Sequence, residues 1–366
     1  MIEEKSNCPV SRPQTCGRRT DKETEPSSRG TSNAQAAPAA VSAQFPWADT
    51  VDVVIPVYKP DDKLRRLIEM LGKQSVPPGK LILMVTVDVD VDEEKPENGE
   101  EFQVERFLPE ARKQEGRLSE TEKTEVVGEQ KPSLPKIEVH RLKKSEFNHG
   151  LTRNRGVGFS EAEVVILMTD DAVPNDCYLI EQLLLGLSDE KTAVCYARQL
   201  PAEDAELPER FSREFNYPPE SRRKTSEDLE TLGIKAFFCS NVCAAYKRKI
   251  FEELGGFTET IFNEDMIFAR KALDAEYAIQ YQAEAQVIHS HRFSNMEQLR
   301  RNYDLAISQK RHPEAFSDVS SEKEGFKYVG KAYSYFRQNH RGYLILPFAV
   351  TCGFRFLGYR LGKLFG

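Results

Sequence analysis

The amino-acid sequence predicts an α/β domain built on a mixed, mostly parallel β-sheet flanked by helices. Short apolar runs rich in β-branched residues recur at 51–58, 80–85, 137–140 and 164–168, as in buried strands. Helical patterns lie between some of these runs, and this alternation is typical of parallel strands joined by right-handed crossovers. Ligands of such sheets collect at the carboxyl ends of the strands.

The first strand, helix and second strand are predicted at residues 51–85. The run at 51–58 ends at a proline-containing segment, and Pro60-Asp61-Asp62 is a typical helix start. Apolar residues then recur at helical spacing up to Leu71, before the second strand at 80–85. The sheet resumes at 137–140, and a helix over about 152–160 leads into the strand at 164–168.

Composition divides the 366 residues into three parts. Residues 1–48 are polar and charged, and we interpret them as a disordered leader because they can bury too little apolar surface to offset chain entropy. Residues 49–316 form the α/β domain. Within that domain, residues 91–134 are dominated by Glu, Lys, Gln and Gly, which predicts a charged surface insertion.

Residues 317–366 are predicted to associate with a membrane. From Gly325 to Gly366 there are seven Lys or Arg and no Asp or Glu, interleaved with aromatic and aliphatic residues. No window there reaches the ~18 uninterrupted apolar residues of a spanning helix. We therefore expect a basic, amphipathic helical segment that docks on an anionic membrane face.

Charge and cysteine content argue against two classes of protein. The formal net charge of −7 disfavours general nucleic-acid binding, which requires a basic surface. The seven cysteines are odd in number and scattered, unlike a disulfide framework, and the acidic N-terminus lacks the apolar core of a secretory signal. We expect a cytoplasmic protein at the inner face of the plasma membrane.

Thr169-Asp170-Asp171 follow directly on the strand predicted at 164–168. Two carboxylates at the carboxyl end of a buried strand suit a hard divalent cation that bridges diphosphate oxygens. The alternative is that one acid caps the next turn, because Asp-Ala-Val-Pro is also a good helix entry. Position alone leaves both interpretations open.

Residues 147–156 combine amides, a histidine, arginines and glycines in the sequence Phe-Asn-His-Gly-Leu-Thr-Arg-Asn-Arg-Gly. An arginine there can pair with phosphate oxygens, and a glycine lets backbone approach a ligand closely. The alternative is a solvated loop that precedes a helix. The density of special residues favours a functional interpretation.

Two later clusters carry further candidate groups. Gly255-Gly256-Phe257 precedes Asn263-Glu264-Asp265-Met266, where the acids open a predicted helix. Such acids usually complement the helix dipole, but one of them could act as a general base. His289-Ser290-His291 ends a strand-like run, and we take the two histidines to face opposite sides, so that only one reaches a shared site. A lone histidine is usually structural, but beside Asp171 it becomes a credible metal ligand.

In this order, the clusters resemble the family-2 glycosyltransferases of the GT-A fold, and most closely the bacterial rhamnosyltransferase-like branch. The resemblance covers roughly residues 51–316. It implies an inverting transfer of a sugar from a nucleoside diphosphate, with dTDP-rhamnose favoured, to a hydroxyl of a cell-surface glycan or a lipid-linked acceptor. It also implies a divalent metal, Mg²⁺ or Mn²⁺.

The resemblance implies roles for individual residues. Asp171 matches the last acid of the family's Asp-x-Asp metal motif, in which Thr169 stands for the first acid, and His291 is preferred over His289 as the later ligand. Asp265 matches the catalytic base, with Glu264 beside it. The residues matched to the nucleotide-sugar pocket are Pro56, Val57, Tyr58, Asp88, Asn148, Arg153, Asn154 and Asp170. Those matched to the acceptor side are Phe238, Ser240 and Asn241.

Two other functions fit parts of the pattern. A catalytically silent GT-A domain that binds a glycan or a partner enzyme is the alternative, and metal-dependent turnover of a donor would exclude it. A nucleotidyltransferase would need a glycine-rich phosphate loop with a lysine near the first strand, and Pro56-Val57-Tyr58-Lys59-Pro60 does not provide one. Phe237 and Phe238 could also be core residues instead of acceptor contacts.

Overall fold

A computed structural model describes residues 50–88, 135–319 and 321–366. The predicted leader at 1–48 and the predicted insertion at 91–134 lie outside these residues, so both remain predictions. The description that follows concerns the remainder of the chain.

Nine strands of the described residues form one sheet. They are β1 (Val51–Val57), β2 (Lys80–Val87), β3 (Lys136–Lys143), β4 (Val164–Met168), β5 (Val173–Pro174), β6 (Thr192–Leu200), β7 (Arg222–Lys224), β8 (Cys243–Lys247) and β9 (Ala278–Ile288). Their order is β3-β2-β1-β4-β8-β6-β9-β5, and β7 also pairs with β9.

The sheet is mixed, as predicted. Strands β3, β2, β1 and β4 pair in parallel, and β6 pairs in parallel with β9. Antiparallel pairs join β8 to β4 and to β6, and join β9 to β5 and β7. The carboxyl ends of β1, β2 and β4 therefore lie along one edge, where ligands of open α/β sheets bind.

The helices of the described residues cover the sheet and extend beyond it. They are α1 (Asp62–Leu71), α2 (His149–Gly158), α3 (Leu179–Gly186), α4 (Leu207–Asn216), α5 (Leu229–Leu232), α6 (Arg248–Glu253), α7 (Glu264–Asp274), α8 (Asn295–Arg311), α9 (Pro313–Phe316), α10 (Ser321–Gln338) and α11 (Ile345–Phe365).

Two apolar cores lie on the two faces of the sheet. Because side chains alternate along a strand, Val53 and Ile55 of β1 belong to one core and Val54 belongs to the other. Helices α1 and α3 bury their apolar residues in the first core, and α7 buries its own in the second. Each face is covered by helices, which explains why the strands read as continuous apolar runs.

The C-terminal helices pack on the rest of the protein through a third apolar cluster. Phe211 of α4, Phe336 of α10 and Phe348 of α11 form its centre. Helix α11 also lies against α8 at two glycines, where an added Cβ would stand 2.1 Å from the Leu299 carbonyl oxygen at Gly358 and 2.4 Å from that of Tyr303 at Gly362. Only glycine permits so close an approach of the two backbones.

The segment Gly342–Phe365 is long and apolar enough to cross a membrane, with a mean hydropathy of 1.3 in a window of which 11% is buried. The prediction concerned uninterrupted apolar residues, whereas this segment reaches that hydropathy with basic residues inside it. The criterion rests on length and composition only, and the core helix of a soluble protein can also meet it. Association with a membrane stays a prediction.

Candidate active site

Asp171 and two histidines form a group that could hold a metal ion, which we call the metal triad (Asp171, His289 and His291). One candidate ligand atom from each residue lies within 4.8 Å of the others. The Nε2 atoms of His289 and His291 lie 3.4 Å and 3.2 Å from the Asp171 carboxylate oxygens. Asp171 follows β4 and the histidines follow β9, so two strand ends position the group.

The prediction that only one histidine reaches the site was wrong. Successive residues of an extended segment face opposite sides, but residues two apart, such as His289 and His291, share a side. Both imidazoles therefore point at Asp171. The preference for His291 over His289 is not supported by distance, since both meet the geometric requirement.

A buried amide sets the tautomer of His289. Gln199 donates from Nε2 to the hydroxyls of Tyr217 (2.5 Å) and Ser240 (3.0 Å), and its Oε1 accepts from Arg213. That oxygen lies 2.9 Å from Nδ1 of His289 and can only accept, so Nδ1 donates. The lone pair of Nε2 is thereby left facing Asp171, as metal coordination requires.

The charge states of the metal triad also suit a cation. Burial lowers the pKa of His289, and burial followed by the neighbouring His289 lowers the pKa of His291 to about 4. Burial acts to raise the pKa of Asp171, but its contacts with His289, His291 and Thr169 outweigh it and hold that pKa well below its ordinary value. At neutral pH the group therefore offers one carboxylate and two neutral imidazoles.

Tyr58, Asp88 and Asp170 come together at the carboxyl edge of β1, β2 and β4. The Tyr58 hydroxyl donates to Asp88 over 3.0 Å, and the Tyr58 backbone N–H donates to Asp170 over 3.2 Å. Lys59 and Lys144 pair with Asp88 at 3.5 Å and 3.1 Å. The Tyr58 ring is 40% exposed, so this edge can contact a ligand.

Val57 and Pro56, two further residues predicted to line the nucleotide-sugar pocket, differ in burial. Val57 is buried in the first core, which corrects the prediction that its side chain lines the pocket, whereas Pro56 is half-buried beside it in β1. Burial raises the pKa of Asp170 to about 6, with a further contribution from the charge of Asp171.

Asp265 lies at the same edge of the sheet as Asp171. Its Oδ2 accepts a hydrogen bond of 3.0 Å from the backbone N–H of Asn241. The next residue, Val242, accepts a hydrogen bond of 3.2 Å from the backbone N–H of Thr169. The dipeptide Asn241-Val242 thus binds both Asp265 of α7 and Thr169, which lies two residues before Asp171. These contacts bring the two distant parts of the chain together.

Glu264 is held in a buried network that does not reach the edge, which we call the supporting network (Arg153, Asn241, Tyr246 and Glu264). Glu264 pairs with Arg153 at 3.2 Å, with both side chains less than a tenth exposed. It also accepts from the Asn241 amide at 3.1 Å, and Asn241 accepts from the Tyr246 hydroxyl at 2.6 Å. These contacts give Glu264 a structural role, and its predicted catalytic role beside Asp265 stays a prediction.

The two adjacent acids have opposite pKa shifts. Burial alone would raise the pKa of Glu264, but the charge of Arg153, with His149 and the Asn241 amide, outweighs it and lowers that pKa. Burial raises the pKa of Asp265 to about 7, and the charge of Glu264 adds to the effect. Glu264 therefore carries the negative charge, while the half-buried Asp265 exchanges its proton near neutral pH.

Side chains of residues 147–156 make structural contacts that hold the backbone around the site in place. Asn148 caps α2 by accepting from the N–H groups of Gly150 and Leu151. The Asn154 amide binds both the N–H (3.0 Å) and the carbonyl (2.8 Å) of Phe257. Arg153 adds a buried ion pair, so all three residues have structural contacts, and the binding of the nucleotide sugar by Asn148, Arg153 and Asn154 stays a prediction.

The residues predicted to contact the acceptor also differ in burial. Asn241 is buried in the supporting network, and its contact with the acceptor stays a prediction. Phe237 is a core residue, whereas Phe238 is half-buried and lines a cavity described below. Ser240 is half-buried and accepts from Gln199.

Sequence reasoning missed Gln199, Tyr246 and Lys144. Gln199 and Tyr246 lie inside β6 and β8, and a single polar residue within an apolar strand was the available signal, because buried polar groups need partners. Lys144 follows β3 at the same edge as Asp88, so its position after a strand end could have identified it.

Comparison with known proteins identifies the class of this site. The model of the Glycosyl transferase family 2 matches residues 119–255. The O-antigen chain rhamnosyltransferase RfbN of Salmonella typhimurium is 39% identical over 234 residues, covering 63% of this chain and 74% of RfbN. The O-antigen chain rhamnosyltransferase WbaN of Salmonella anatum is 38% identical over 223 residues, covering 60% of this chain and 70% of WbaN.

Solved structures are more distantly similar. The mannosyltransferase PcManGT from Pyrobaculum calidifontis, in complex with GDP-Man and Mn²⁺, is 14% identical with a TM-score of 0.48, covering 86% of this chain and 75% of PcManGT. Residues 1–349 of TarS from S. aureus are 16% identical with a TM-score of 0.45, covering 86% of this chain and 90% of that chain.

The fold and the identified relatives define a glycosyltransferase with a GT-A domain. The chain belongs to glycosyltransferase family 2, and it is similar to rhamnosyltransferases of that family.

Proposed function

We propose that this protein transfers rhamnose from dTDP-rhamnose to a hydroxyl of a cell-surface or lipid-linked glycan, with inversion at the anomeric carbon. The observation that supports the proposal most strongly is the pairing of the metal triad with Asp265 at one edge of the sheet. The choice of rhamnose rests on the relatives RfbN and WbaN, whose names describe rhamnosyltransferases.

Asp265 is the general base in the proposed reaction. Its carboxylate takes the proton from the acceptor hydroxyl while that oxygen forms a bond to the anomeric carbon, and the bond from this carbon to the diphosphate oxygen breaks. General-base groups work best with a pKa near the operating pH, and the Asp265 value of about 7 meets that condition. No covalent bond between sugar and protein is required.

Asp171, His289 and His291 are the proposed ligands of a divalent metal. The mixed set of one carboxylate and two imidazoles fits Mn²⁺ better than Mg²⁺, because Mg²⁺ prefers oxygen ligands. When bound, such an ion stabilises the charge that develops on the departing diphosphate. Arg153 cannot share this role, since it is buried against Glu264.

Tyr58 and Asp88 are the proposed contacts of the nucleoside. The exposed ring of Tyr58 offers a face for stacking against the base, and its hydroxyl is held by Asp88. Lys59 and Lys144 lie over the same ring, 5.1 Å and 5.4 Å from its centroid, and add positive charge for an anionic donor.

Turnover of dTDP-rhamnose, with and without Mn²⁺ or Mg²⁺, tests the proposal. We expect release of dTDP that depends on the metal, is stimulated by a lipid-linked glycan, and exceeds release from UDP- or GDP-sugars. NMR of the product should show an anomeric configuration opposite to that of the donor. Absence of turnover with every donor would instead support a silent, glycan-binding domain.

We further propose that the C-terminal helices dock on the anionic inner face of the plasma membrane. Large apolar side chains are exposed on α10 and α11, among them Phe326, Leu346 and Phe365. Lys and Arg accompany them, without Asp or Glu, from Gly325 to Gly366. Co-sedimentation with phosphatidylglycerol vesicles tests this, because Phe326→Ser combined with Leu346→Ser should weaken binding and neutral vesicles should bind less.

A further inference from the structure

An open cavity of about 610 Å³ lies between the C-terminal helices and the glycosyltransferase domain. We call this cavity the helix groove. It is bounded by α4, α8, α10, α11 and the segment at 234–238. Its apolar walls include Phe215, Ile234, Phe238, Leu305, Phe326 and Phe356.

The volume and lining of the helix groove suit a hydrocarbon chain. Ligand pockets typically enclose about 300–1,000 Å³. An apolar cavity of about 150 Å³ holds one benzene molecule, so this one has room for roughly four groups of that size. A hydrocarbon chain must therefore be longer than a few carbons to fill the helix groove.

The groove includes two residues of the chain that flank the proposed base Asp265. Met266, which follows the base Asp265, lines it, and so does Asn263 at the start of α7. Asn263 is 9% exposed, and its Nδ2 has no hydrogen-bond partner among the described residues. A buried donor without a partner is costly, so this amide calls for an oxygen acceptor on whatever occupies the groove.

The charged residues that line the groove are Arg355 and the ion pair of Lys235 with Glu324 (2.8 Å), so Arg355 is the cation that can face an anionic occupant. Arg355 of α11 lines the groove, and its hydrogen bonds go to the neutral groups of Gln298 (3.0 Å) and Tyr328 (3.4 Å). The outer wall is the apolar helix that exposes Leu346 and Leu357, which puts the groove beside a surface that lipids can reach.

We infer that the helix groove binds the hydrocarbon chain of a lipid-phosphate-linked acceptor, an inference that rests on the proposed function. The chain lies between α8, α10 and α11, and the phosphate lies near Arg355. Asn263 donates to an oxygen of the acceptor sugar and directs its hydroxyl towards Asp265. A membrane phospholipid, or a second copy of this protein, is the competing occupant that the experiment must exclude.

Binding of dodecyl phosphate and butyl phosphate to the full-length protein, measured by calorimetry below the micellar concentration, tests the groove directly. We expect dodecyl phosphate to bind at least about tenfold more tightly, because each buried methylene adds to affinity. Gly353→Trp should abolish that preference, since Gly353 lines the groove and an added Cβ there meets no atom within 4 Å.

Gly330→Trp is the matched control. Gly330 is an exposed helical glycine with equally open surroundings, and it does not line the groove. It should bind both probes as the wild type does. Equal binding of dodecyl phosphate by Gly353→Trp and the wild type would overturn the inference. So would equally tight binding of a short-chain phosphatidylglycerol below its micellar concentration, or a dimer that Gly353→Trp dissociates.

Transfer assays separate this inference from the proposed function. With any glycan that accepts the sugar, the wild type should show a KM at least about tenfold lower for the lipid-phosphate-linked form than for the chain-free form. Gly353→Trp should make the KM values for the two forms equal. Transfer with equal KM values in the wild type would overturn the groove alone, whereas binding of dodecyl phosphate without any sugar transfer would overturn the proposed function.

Discussion

The segment at residues 240–242 connects the supporting network, through Asn241, with the residues that lead to the metal triad, yet the two groups use their polar side chains in opposite ways. Asp171, His289 and His291 turn towards one another at the sheet edge and leave ligand atoms within 4.8 Å. Arg153 and Glu264 turn inward and neutralise each other. Motifs that are equally conspicuous in the sequence thus have two different roles. One set offers metal ligands. The other holds Asp265 in position and raises its pKa.

The largest effect should come from Asp265→Asn, which removes the proposed base and keeps the shape of the side chain. We expect kcat to fall by about 10²–10⁴-fold, the usual contribution of general-base catalysis, with little change in Tm. Asp274→Asn, at the other end of α7, is the control and should retain activity. Full activity of Asp265→Asn would contradict the assignment of the base.

Glu264→Gln should act mainly on stability. It leaves the Arg153 charge buried without its partner, which costs about 3–5 kcal/mol in the free energy of unfolding. Glu252→Gln, in a partly exposed ion pair with Arg248, should cost less than about 1 kcal/mol. Urea denaturation measures both values, and equal values would show that the supporting network is not structural.

The same contrast shows how far sequence reasoning reaches. The strands at 51–57, 80–87 and 164–168 were predictable because buried parallel strands form continuous apolar runs. Position after a strand end also identified Asp171. The direction of a side chain was not predictable for Arg153 or Asn154, because an arginine or asparagine binds a ligand and the protein interior through the same hydrogen bonds.

The other features that could not be predicted from the sequence depend on contacts between segments that are distant along the chain. The antiparallel pairing of β5 with β9, in which Val173 lies opposite Ile288, brings the histidines to Asp171, and no local pattern specifies that pairing. The packing of α11 on α8 depends on Gly358 and Gly362, whose spacing of four was visible but whose partner helix was not.

A smaller effect is expected from Gln199→Leu, which removes the acceptor of the His289 Nδ1 proton. Loss of such a partner typically weakens metal binding by about 10–100-fold. Binding of Mn²⁺ followed by electron paramagnetic resonance measures the change without reference to activity. Gln282→Leu, in β9 away from the triad, is the control, and unchanged Mn²⁺ affinity in Gln199→Leu would argue against His289 as a ligand.

The pH dependence of kcat should show the smallest effect. The active form of Asp265 is deprotonated, and burial with the Glu264 charge raises its pKa to about 7. With donor and Mn²⁺ saturating, kcat should therefore fall about tenfold for each pH unit below 7 and level off above it. A profile that is flat from pH 5 to about 8 would show that Asp265 does not titrate in the reaction.

A crystal structure with dTDP and Mn²⁺ tests most directly whether the acids of β4 and α7 serve one reaction. We expect anomalous density for Mn²⁺ within bonding distance of Asp171 and the histidines, a diphosphate on that ion, and the Asp265 carboxylate open to the same space. Mn²⁺ bound elsewhere, or Asp265 separated from the nucleotide by packed side chains, would contradict the account.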